Sequence, residues 1–210
     1  YNERLLRLLA ETQIPKVFLD TSSLVAPDEL NGDLLLMESR TSVRRITCHL
    51  LEQGRTLPGF IGDISYAQSN RERYEGFCQA LADAGKKVDS SLCLTTPLGI
   101  DTYREEIDTF LSSLSRMPDA FVCASDYVAC ILMQLLEKRG LRVPEDVAVS
   151  GFDNNTEDLL AEHLTTVQVF NEELGARLAL QILYRIKYPN TPHEITYLGT
   201  NVLYRDSTGD

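Results

Sequence analysis

The chain has 210 residues, of which 43% are hydrophobic and 24% charged, a composition typical of one large globular domain or two smaller ones. Its formal net charge of −11 at pH 7 repels phosphate backbones and argues against direct binding to nucleic acid. No apolar stretch approaches the roughly 20 residues that span a bilayer, so we expect no membrane contact.

The first part of the sequence predicts two helices, each followed by a strand. A helix over about 2–11 precedes a strand at 17–19, and 34–36 is a second candidate strand. Apolar residues spaced three and four apart then predict an amphipathic helix that ends at Gly54, before a strand at 57–62. Glycine suits the left-handed position just beyond a helix end.

The same unit of amphipathic helix, glycine and short apolar strand recurs twice. One helix ends at Gly85 before a strand at 88–94, and another ends at Gly140 before a strand at 147–151. A helix at 102–114 and a strand at 120–123 lie between these two units. This alternation predicts an α/β fold with parallel sheets, right-handed crossovers and helices on both sheet faces.

The last part of the sequence predicts one helix and an extended segment. Asn171 is a suitable N-cap, and Glu172 and Glu173 favour the positive end of the helix dipole. The helix should end before Pro189, and 195–204 should be extended.

Four predicted strands end in an aspartate: Asp20, Asp63, Asp126 and Asp153. A single aspartate in such a position is more often a helix N-cap than a ligand contact. Ligands of open α/β sheets, however, bind beyond the carboxyl ends of the strands. The four together therefore predict a polar cleft rich in hydrogen-bond acceptors.

An acidic cleft with few cations favours a ligand that donates hydroxyl groups, such as a sugar. Carboxylates accept hydrogen bonds from neighbouring hydroxyls, and an arginine donates to the hydroxyl oxygens. Arg71 and Arg73 stand at a predicted helix start, where a cation opposes the helix dipole. A ligand contact is the better explanation for Arg73, and a solvated surface position for Arg71.

Signals for catalysis and for metal binding are absent from the sequence. It contains no G-x-S-x-G, P-loop, G-x-G-x-x-G or H-E-x-x-H motif. His49, His163 and His193 lack the spacing of metal ligands. We therefore expect no enzyme activity, no cofactor and no metal. The five cysteines, an odd number at wide spacings, predict buried free thiols in a reducing cytoplasm.

The sequence resembles the lactose/galactose-repressor (LacI/GalR) family of transcriptional regulators over nearly its whole length. The segments that carry the resemblance are IPKVFLD at 14–20, HLLEQGR at 49–55, RYEGF at 73–77, PDAFVCASD at 118–126, GLRVPEDV at 140–147, GFD at 151–153, LTTV at 164–167 and YRDST at 204–208.

The resemblance implies a two-lobed, periplasmic-binding-protein-like (type I) fold in which each lobe is a doubly wound parallel sheet. We place the N-terminal lobe, incomplete in this chain, at 1–63 and 166–194, and the C-terminal lobe at 64–165 and 195–210. The three crossovers between the lobes are then expected near 62–65, near 164–167 and before Thr200.

Five residues are candidate ligand contacts, four of them by the resemblance and Tyr66 as a substitute for a missing aromatic residue. Arg73 matches the arginine that clamps the ligand, and Asp153 the acidic residue that binds ligand hydroxyls. Asp20 matches a strand-end position that faces the cleft, and Ser125 stands where many sugar-binding members have Asn or Asp. Because the loop at 96–98 has no aromatic residue, Tyr66 is assigned the stacking role.

These assignments predict the effector-sensing and dimerisation part of a cytoplasmic regulator, a repressor controlled by lobe closure. Its small-molecule partner would be a sugar-like effector. A second copy of the chain would bind through the helix at 128–138 and the segment after Asp153. Operator DNA would be bound only through a headpiece that this sequence lacks. The alternatives are an extracytoplasmic sugar-binding receptor, disfavoured by five cysteines, and an enzyme on a doubly wound fold.

Overall fold

The strands of the protein form two parallel sheets and one antiparallel pair. The computed structural model describes residues 2–99, 101–155 and 162–210. In this part of the chain, sheets and helices alternate as the sequence predicts, which confirms the α/β class.

The smaller parallel sheet contains the first two strands and a strand from near the C-terminus. Its order is β1 (Val17–Leu19), β2 (Asp33–Met37) and β8 (Ile195–Leu198). Helices α1 (Glu3–Ala10) and α6 (Asn171–Lys187) accompany it.

Successive side chains of β2 pack on opposite faces of this sheet, as in any β-strand. Leu34 and Leu36 join a buried cluster with Leu6 of α1. Leu35 belongs to a different cluster that includes Leu174 and, partly buried, Leu178, both of α6. The two helices therefore contribute to separate apolar clusters on either side of β2.

The larger sheet has four parallel strands with two helices on each face. Its order is β4 (Cys93–Leu94), β3 (Pro58–Ile61), β5 (Ala120–Cys123) and β6 (Ala148–Ser150). The helices are α2 (Arg40–Glu52), α3 (Gln68–Asp83), α4 (Tyr103–Ser113) and α5 (Asp126–Lys138).

The apolar residues of β3 and β5 are divided between two cores. Phe60 and Val122 pack with α2 and α3, whereas Ile61, Phe121 and Cys123 pack with α4 and α5. Because both faces of these strands are covered, the strands are apolar throughout, as the sequence predicts.

Three connections join the smaller sheet to the larger one. The first follows β2 and leads into α2; the second follows β7 (Thr166–Gln168), and the third joins β8 to β9 (Asn201–Leu203). Strands β7 and β9 pair antiparallel, with Val167 opposite Val202. The second and third connections therefore lie side by side.

Strand pairing corrects two boundaries of the predicted lobes. Strand β3 pairs with β4 and β5, so the segment from Arg40 to 63 belongs with the larger sheet, and the first crossover lies after Met37 rather than near 62–65. Strand β8 pairs with β2, so 195–198 belongs with the smaller sheet. We therefore propose lobes of 2–37 with 171–198, and of 40–165 with 201–210.

Most predicted elements agree with the structure, and two differ locally. The predicted strand at 88–94 is reduced to Cys93–Leu94, because Asp89 accepts a hydrogen bond from the Ser91 amide and starts a 3₁₀ turn at Ser90–Leu92. Asn171 is the first residue of α6 rather than its N-cap. The glycines expected at helix ends do adopt the left-handed conformation: Gly54, Gly85 and Gly140.

All five cysteines are free, with Cys123 and Cys130 buried and Cys48, Cys78 and Cys93 half-buried. The prediction of free thiols is thus confirmed, although only two are fully buried. In the described residues, no helix is long and apolar enough to cross a bilayer.

Candidate functional site

Arg73 lies beneath the strand ends of the larger sheet, with only 4% of its surface exposed. It stands on the second turn of α3, and its guanidinium lies 3.7 Å from the centre of the Phe152 ring. Nη1 donates a hydrogen bond to the Ala124 carbonyl, and Nη2 lies 3.5 Å from Asp153 Oδ1. The structure therefore brings together the two residues on which the predicted site depends.

One donor of Arg73 remains available. Nε is buried and has no hydrogen-bond partner among the described residues. A buried donor without a partner costs about 1–3 kcal/mol. Burial lowers the pKa of Arg73, while the charges of Asp153, Asp20, Asp126 and Glu72 oppose that change. A bound oxygen atom near Nε would remove the cost.

Asp153 combines solvent access with a raised pKa. Its side chain is 43% exposed, yet burial raises the pKa of its carboxyl group and Arg73 only partly offsets this. Asp153 and the next residue, Asn154, both have a positive φ, of 109° and 51°. Such conformations are costly for non-glycine residues and concentrate at ligand sites.

A hydrogen-bond network beneath Asp153 holds this strained turn. Asn154 receives a bond from Arg205 Nη2 at 2.8 Å and donates one to Gln168 Oε1 at 2.5 Å. Asp126 accepts from the Asn155 amide at 2.8 Å and from the Thr166 hydroxyl at 2.6 Å. The turn is therefore tied to α5, to β7 and to the segment after β9.

Asp126 is the buried centre of that network. Burial raises the pKa of its carboxyl group to about 6, although bonds from Thr166 and Asn155 favour the charged form. Gly151 lies directly against it, because a Cβ at that position would collide with Asp126 Oδ1. The sequence identified Asp126 as a strand-end carboxylate but did not include it in the site.

Asp20 lies between the two sheets. It follows β1 with a φ of 59° and is buried. Its Oδ2 accepts from the Ser69 hydroxyl at 2.5 Å, and its Oδ1 accepts from the amides of Thr21 and Ser69. In this conformation Asp20 connects β1 to the start of α3. Its negative charge raises the pKa of Arg73 and so favours the charged guanidinium.

Ser125 and Tyr66 have more peripheral positions. Ser125 is the N-cap of α5, where its hydroxyl accepts from the Val128 amide at 3.3 Å. Tyr66 is 50% exposed in the loop between β3 and α3, where its amide donates to Asp63 Oδ1. Asp63 thus stabilises that loop, and it is not the N-cap of α3, which is Ala67.

Sequence reasoning missed four side chains around Arg73. Phe152 lies under the guanidinium, Met37 Sδ lies 3.8 Å from Nη2, and buried Glu72 accepts from Tyr197 Oη at 2.7 Å. Phe152 could have been included because it directly precedes Asp153. No local signal identifies Met37 or Tyr197, which reach α3 from the other sheet.

The positive charge of Arg73, which is surrounded by carboxylates, determines what kind of ligand the site can bind. One buried guanidinium faces several carboxylates, so the site can accept bonds from hydroxyl or amine groups and donate from Arg73. No group of three or more histidines, cysteines and acidic residues suited to a metal occurs in the described ranges.

The family model of the periplasmic binding protein-like domain matches residues 47–208. The HTH-type transcriptional repressor PurR of Aliivibrio fischeri (strain MJ11) is 29% identical over 209 residues, which cover 98% of this chain and 61% of that protein. The chain therefore spans about three fifths of that relative's length.

Solved structures show the same architecture. A LacI-family transcriptional regulator from Sanguibacter keddieii DSM 10542 superposes with a TM-score of 0.80 at 26% identity, covering 96% of this chain and 75% of that one. The transcriptional regulator CelR, in complex with cellobiose, has a TM-score of 0.79 at 26% identity, covering 98% of this chain and 69% of that one.

Proposed function

Because the chain belongs to the periplasmic binding protein-like domain family, and resembles LacI-family regulators over nearly its whole length, we propose that it is the effector-sensing part of a transcriptional repressor. Its fold is the two-lobed type I architecture of that family. The relatives it matches are regulators rather than enzymes, which favours regulation over catalysis and over transport. A regulator of this kind would act in the cytoplasm and contact operator DNA through a separate headpiece.

The observation that carries the proposal is the pair formed by Arg73 and Asp153. The two side chains, Arg73 on α3 and Asp153 in the turn after β6, meet at 3.5 Å, with Asp153 43% exposed to solvent. Asp20 reaches the same region from the smaller sheet. A ligand between the sheets could therefore contact both lobes at once.

We propose a sugar-like effector for this site. The Asp153 carboxylate would accept bonds from neighbouring hydroxyls, while Arg73 would donate to a hydroxyl oxygen. The solved structure of the regulator CelR, which has the same fold, is a complex with cellobiose. Ser125 and Tyr66 remain proposed contacts at the edge, the first through its hydroxyl and the second by stacking.

Effector binding would act on the angle between the lobes. A ligand shifts a conformational equilibrium only by binding one state better than the other. Contacts with Asp153 on one lobe and Asp20 on the other would favour the closed state. Such hinge closure typically couples two sites by about 1–3 kcal/mol.

We also propose a homodimer that uses the start of α5. Tyr127 is exposed there, and its ring meets that of Tyr103 edge to face at 5.7 Å. Within the helix expected at the interface, Ile131 and Leu135 are buried, and Met133 is half-buried. The segment after Asp153, also expected at the interface, falls largely at 156–161, outside the described residues.

A thermal-shift panel of sugars, including cellobiose and ribose, and of nucleobases tests the ligand class. A ligand at about 100 times its Kd adds roughly 2.7 kcal/mol to the free energy of unfolding and raises the Tm. We expect at least one sugar to raise the Tm, and Asp153→Asn to abolish that shift. Asp101→Asn, an exposed carboxylate, is the matched control and should keep it.

Two results would contradict the proposal. A shift that survives both Asp153→Asn and Arg73→Lys would remove these residues from the site. A panel in which only nucleobases raise the Tm would exclude the sugar class but retain effector sensing.

A further inference from the structure

A cavity lies at the opposite end of the larger sheet from Arg73 and Asp153. It has a volume of about 300 Å³ and adjoins Pro58, the first residue of β3. Arg73 belongs to the helix that follows the other end of the same strand. The two locations are therefore separated by the length of the sheet, and the proposed effector site does not include this cavity.

The floor of this basal cavity is apolar. It is formed by Leu81 of α3 and by Leu92, which precedes β4, and both are almost fully buried. Leu57 and Pro58 add to the apolar lining. A ligand in the cavity can therefore place an apolar group against this side while its polar groups meet the rest of the lining.

The rim of the basal cavity is cationic, although the chain as a whole carries a net charge of −11. Lys86, Lys87 and Arg116 line it, with Asp89 as the one lining carboxylate. Arg116 Nη2 lies 3.3 Å from Asp89, so these two charges largely compensate. Neither Lys86 nor Lys87 has an ion-pair or hydrogen-bond partner for its ammonium group within the described part of the chain.

The nearby carboxylates are already engaged by other donors. Asp89 Oδ1 accepts from the amide and the hydroxyl of Ser91. Asp119, next to the cavity, accepts from the amides of Thr56 and Leu57 at 2.6 and 2.9 Å. The two lysines therefore leave uncompensated positive charge at the mouth of the basal cavity.

From this arrangement we propose that the basal cavity binds a small organic anion, a phosphate ester or carboxylate with an apolar body. The apolar part covers Leu81 and Leu92, and the anionic group lies between Lys86 and Lys87. Ligand size agrees with the cavity, since binding sites of small molecules start at roughly 300 Å³. The site is independent of the proposed effector site and needs no conformational change.

The experiment is a titration with phenyl phosphate, followed by the methyl NMR signals of Leu81 and Leu92. We expect saturable shifts of both leucines in the native protein. The double variant Lys86→Gln/Lys87→Gln should weaken binding about thirtyfold, since it removes two ion pairs and each pair near 4 Å contributes on the order of 1 kcal/mol in water. The control Lys138→Gln/Lys187→Gln removes the same charge from exposed positions elsewhere and should bind as the native protein does.

Further probes separate the two parts of the proposal. Uncharged phenol should bind more weakly than phenyl phosphate because it lacks the anionic group. Inorganic phosphate should also bind more weakly than phenyl phosphate, because it has no apolar part to contact the leucines. The proposal is overturned if the leucine signals show no saturable shift, if both double variants weaken binding equally, or if phenol binds as well as phenyl phosphate. Because Asp153 and Arg73 play no part, Asp153→Asn should leave the titration unchanged even if the effector site is wrong.

Discussion

At the residue scale, the described chain contains four non-glycine residues with positive φ, and two of them are Asp20 and Asp153. Both follow a strand and both carry a proposed ligand contact. Strained backbone of this kind costs about 1–3 kcal/mol per residue and persists only where the surroundings enforce it. The bonds to Ser69 for Asp20, and the network through Asp126 for the Asp153 turn, supply that enforcement.

The raised pKa of Asp126 predicts a specific pH dependence of stability. Its pKa is about 6 in the folded protein against 3.8 as the ordinary value, so the folded state binds the proton more tightly than the unfolded state. The free energy of unfolding should therefore fall as pH rises from about 4 to about 6, by at most about 3 kcal/mol from this group. Above pH 6 the contribution is constant.

Urea unfolding of the native protein and of Asp126→Asn across that range measures the effect. Because other carboxyl groups titrate in the same range, the informative quantity is the difference between the two proteins. We expect that difference to change with pH, and Asp101→Asn to follow the native curve. Parallel curves for native protein and Asp126→Asn would contradict the prediction.

A second residue-scale prediction concerns the buried ion pair of Asp33 and Arg185. Arg185 Nη2 lies 2.5 Å from Asp33 Oδ1, and both side chains are almost fully buried. Burial alone would raise the pKa of Asp33, but bonds from Arg185, Gln181 and the Glu194 amide outweigh it, and the pKa is lowered. Arg185→Met leaves this carboxylate buried without its cation, so we expect a loss of about 3–5 kcal/mol.

Chemical denaturation of Arg185→Met measures that loss. The matched control is Arg142→Met, which removes the exposed pair with Asp146 and should cost no more than about 1 kcal/mol. Similar costs for the two variants would show that the buried pair has no special role in joining β2 to α6.

At the element scale, the close packing of α2 against α3 depends on Gly76. A Cβ at this position would collide with the backbone carbonyl of Arg40, at the start of α2. Backbone cannot move aside as a flexible side chain can. We expect Gly76→Ala to lower the free energy of unfolding by about 1–3 kcal/mol through overpacking, measured by urea unfolding.

Gly175 of α6 provides a control of opposite sign. A Cβ there would meet no atom within 4 Å, and glycine inside a helix is less stable than alanine by roughly 0.5–1 kcal/mol. Gly175→Ala should therefore stabilise the protein. If both substitutions stabilise it, α2 and α3 are not held at the distance the structure gives.

At the scale of the whole molecule, the start of α3 connects the two proposed lobes. Besides the bond from Ser69 to Asp20, the Gln68 amide donates to the Thr21 carbonyl at 2.8 Å, and Tyr197 of β8 donates to Glu72. These contacts come from separate strands of the smaller sheet. They should hold the lobes in the arrangement in which Asp20 approaches Arg73.

Tyr197→Phe tests that connection. It removes the hydroxyl that bonds Glu72 and leaves the buried carboxylate, among the residues that the structure describes, with the bond from Gln68 Nε2 at 3.1 Å. We expect contacts between the lobes to weaken by about 1–3 kcal/mol and amide hydrogen exchange of Gln68 and Ser69 to accelerate. Tyr188→Phe, a half-exposed tyrosine at the end of α6, should leave the exchange unchanged. Unchanged exchange in Tyr197→Phe would mean that Glu72 does not hold the lobes together.

Helices, strands and the α/β class followed from the sequence, because apolar spacing and helix-ending glycines are local signals. The helix ending before Gly54 and the strand at 120–123 are examples. The family resemblance placed Arg73 and Asp153, 80 residues apart in the chain, in one ligand site. The structure adds the distance between Arg73 Nη2 and Asp153 Oδ1, which is 3.5 Å. Lobe boundaries were misplaced because strand order depends on which edges pair, and no local pattern records it.

The sequence by itself determined what each segment becomes, since helix and strand periods are written in neighbouring residues. Only the tertiary structure decided which segments meet. It placed β8 beside β2, brought Met37 and Tyr197 onto α3, and set Phe152 beneath Arg73. The physical reason is that such contacts join residues far apart in the chain, and their energies arise from burial and hydrogen bonds that exist only after the sheets have formed.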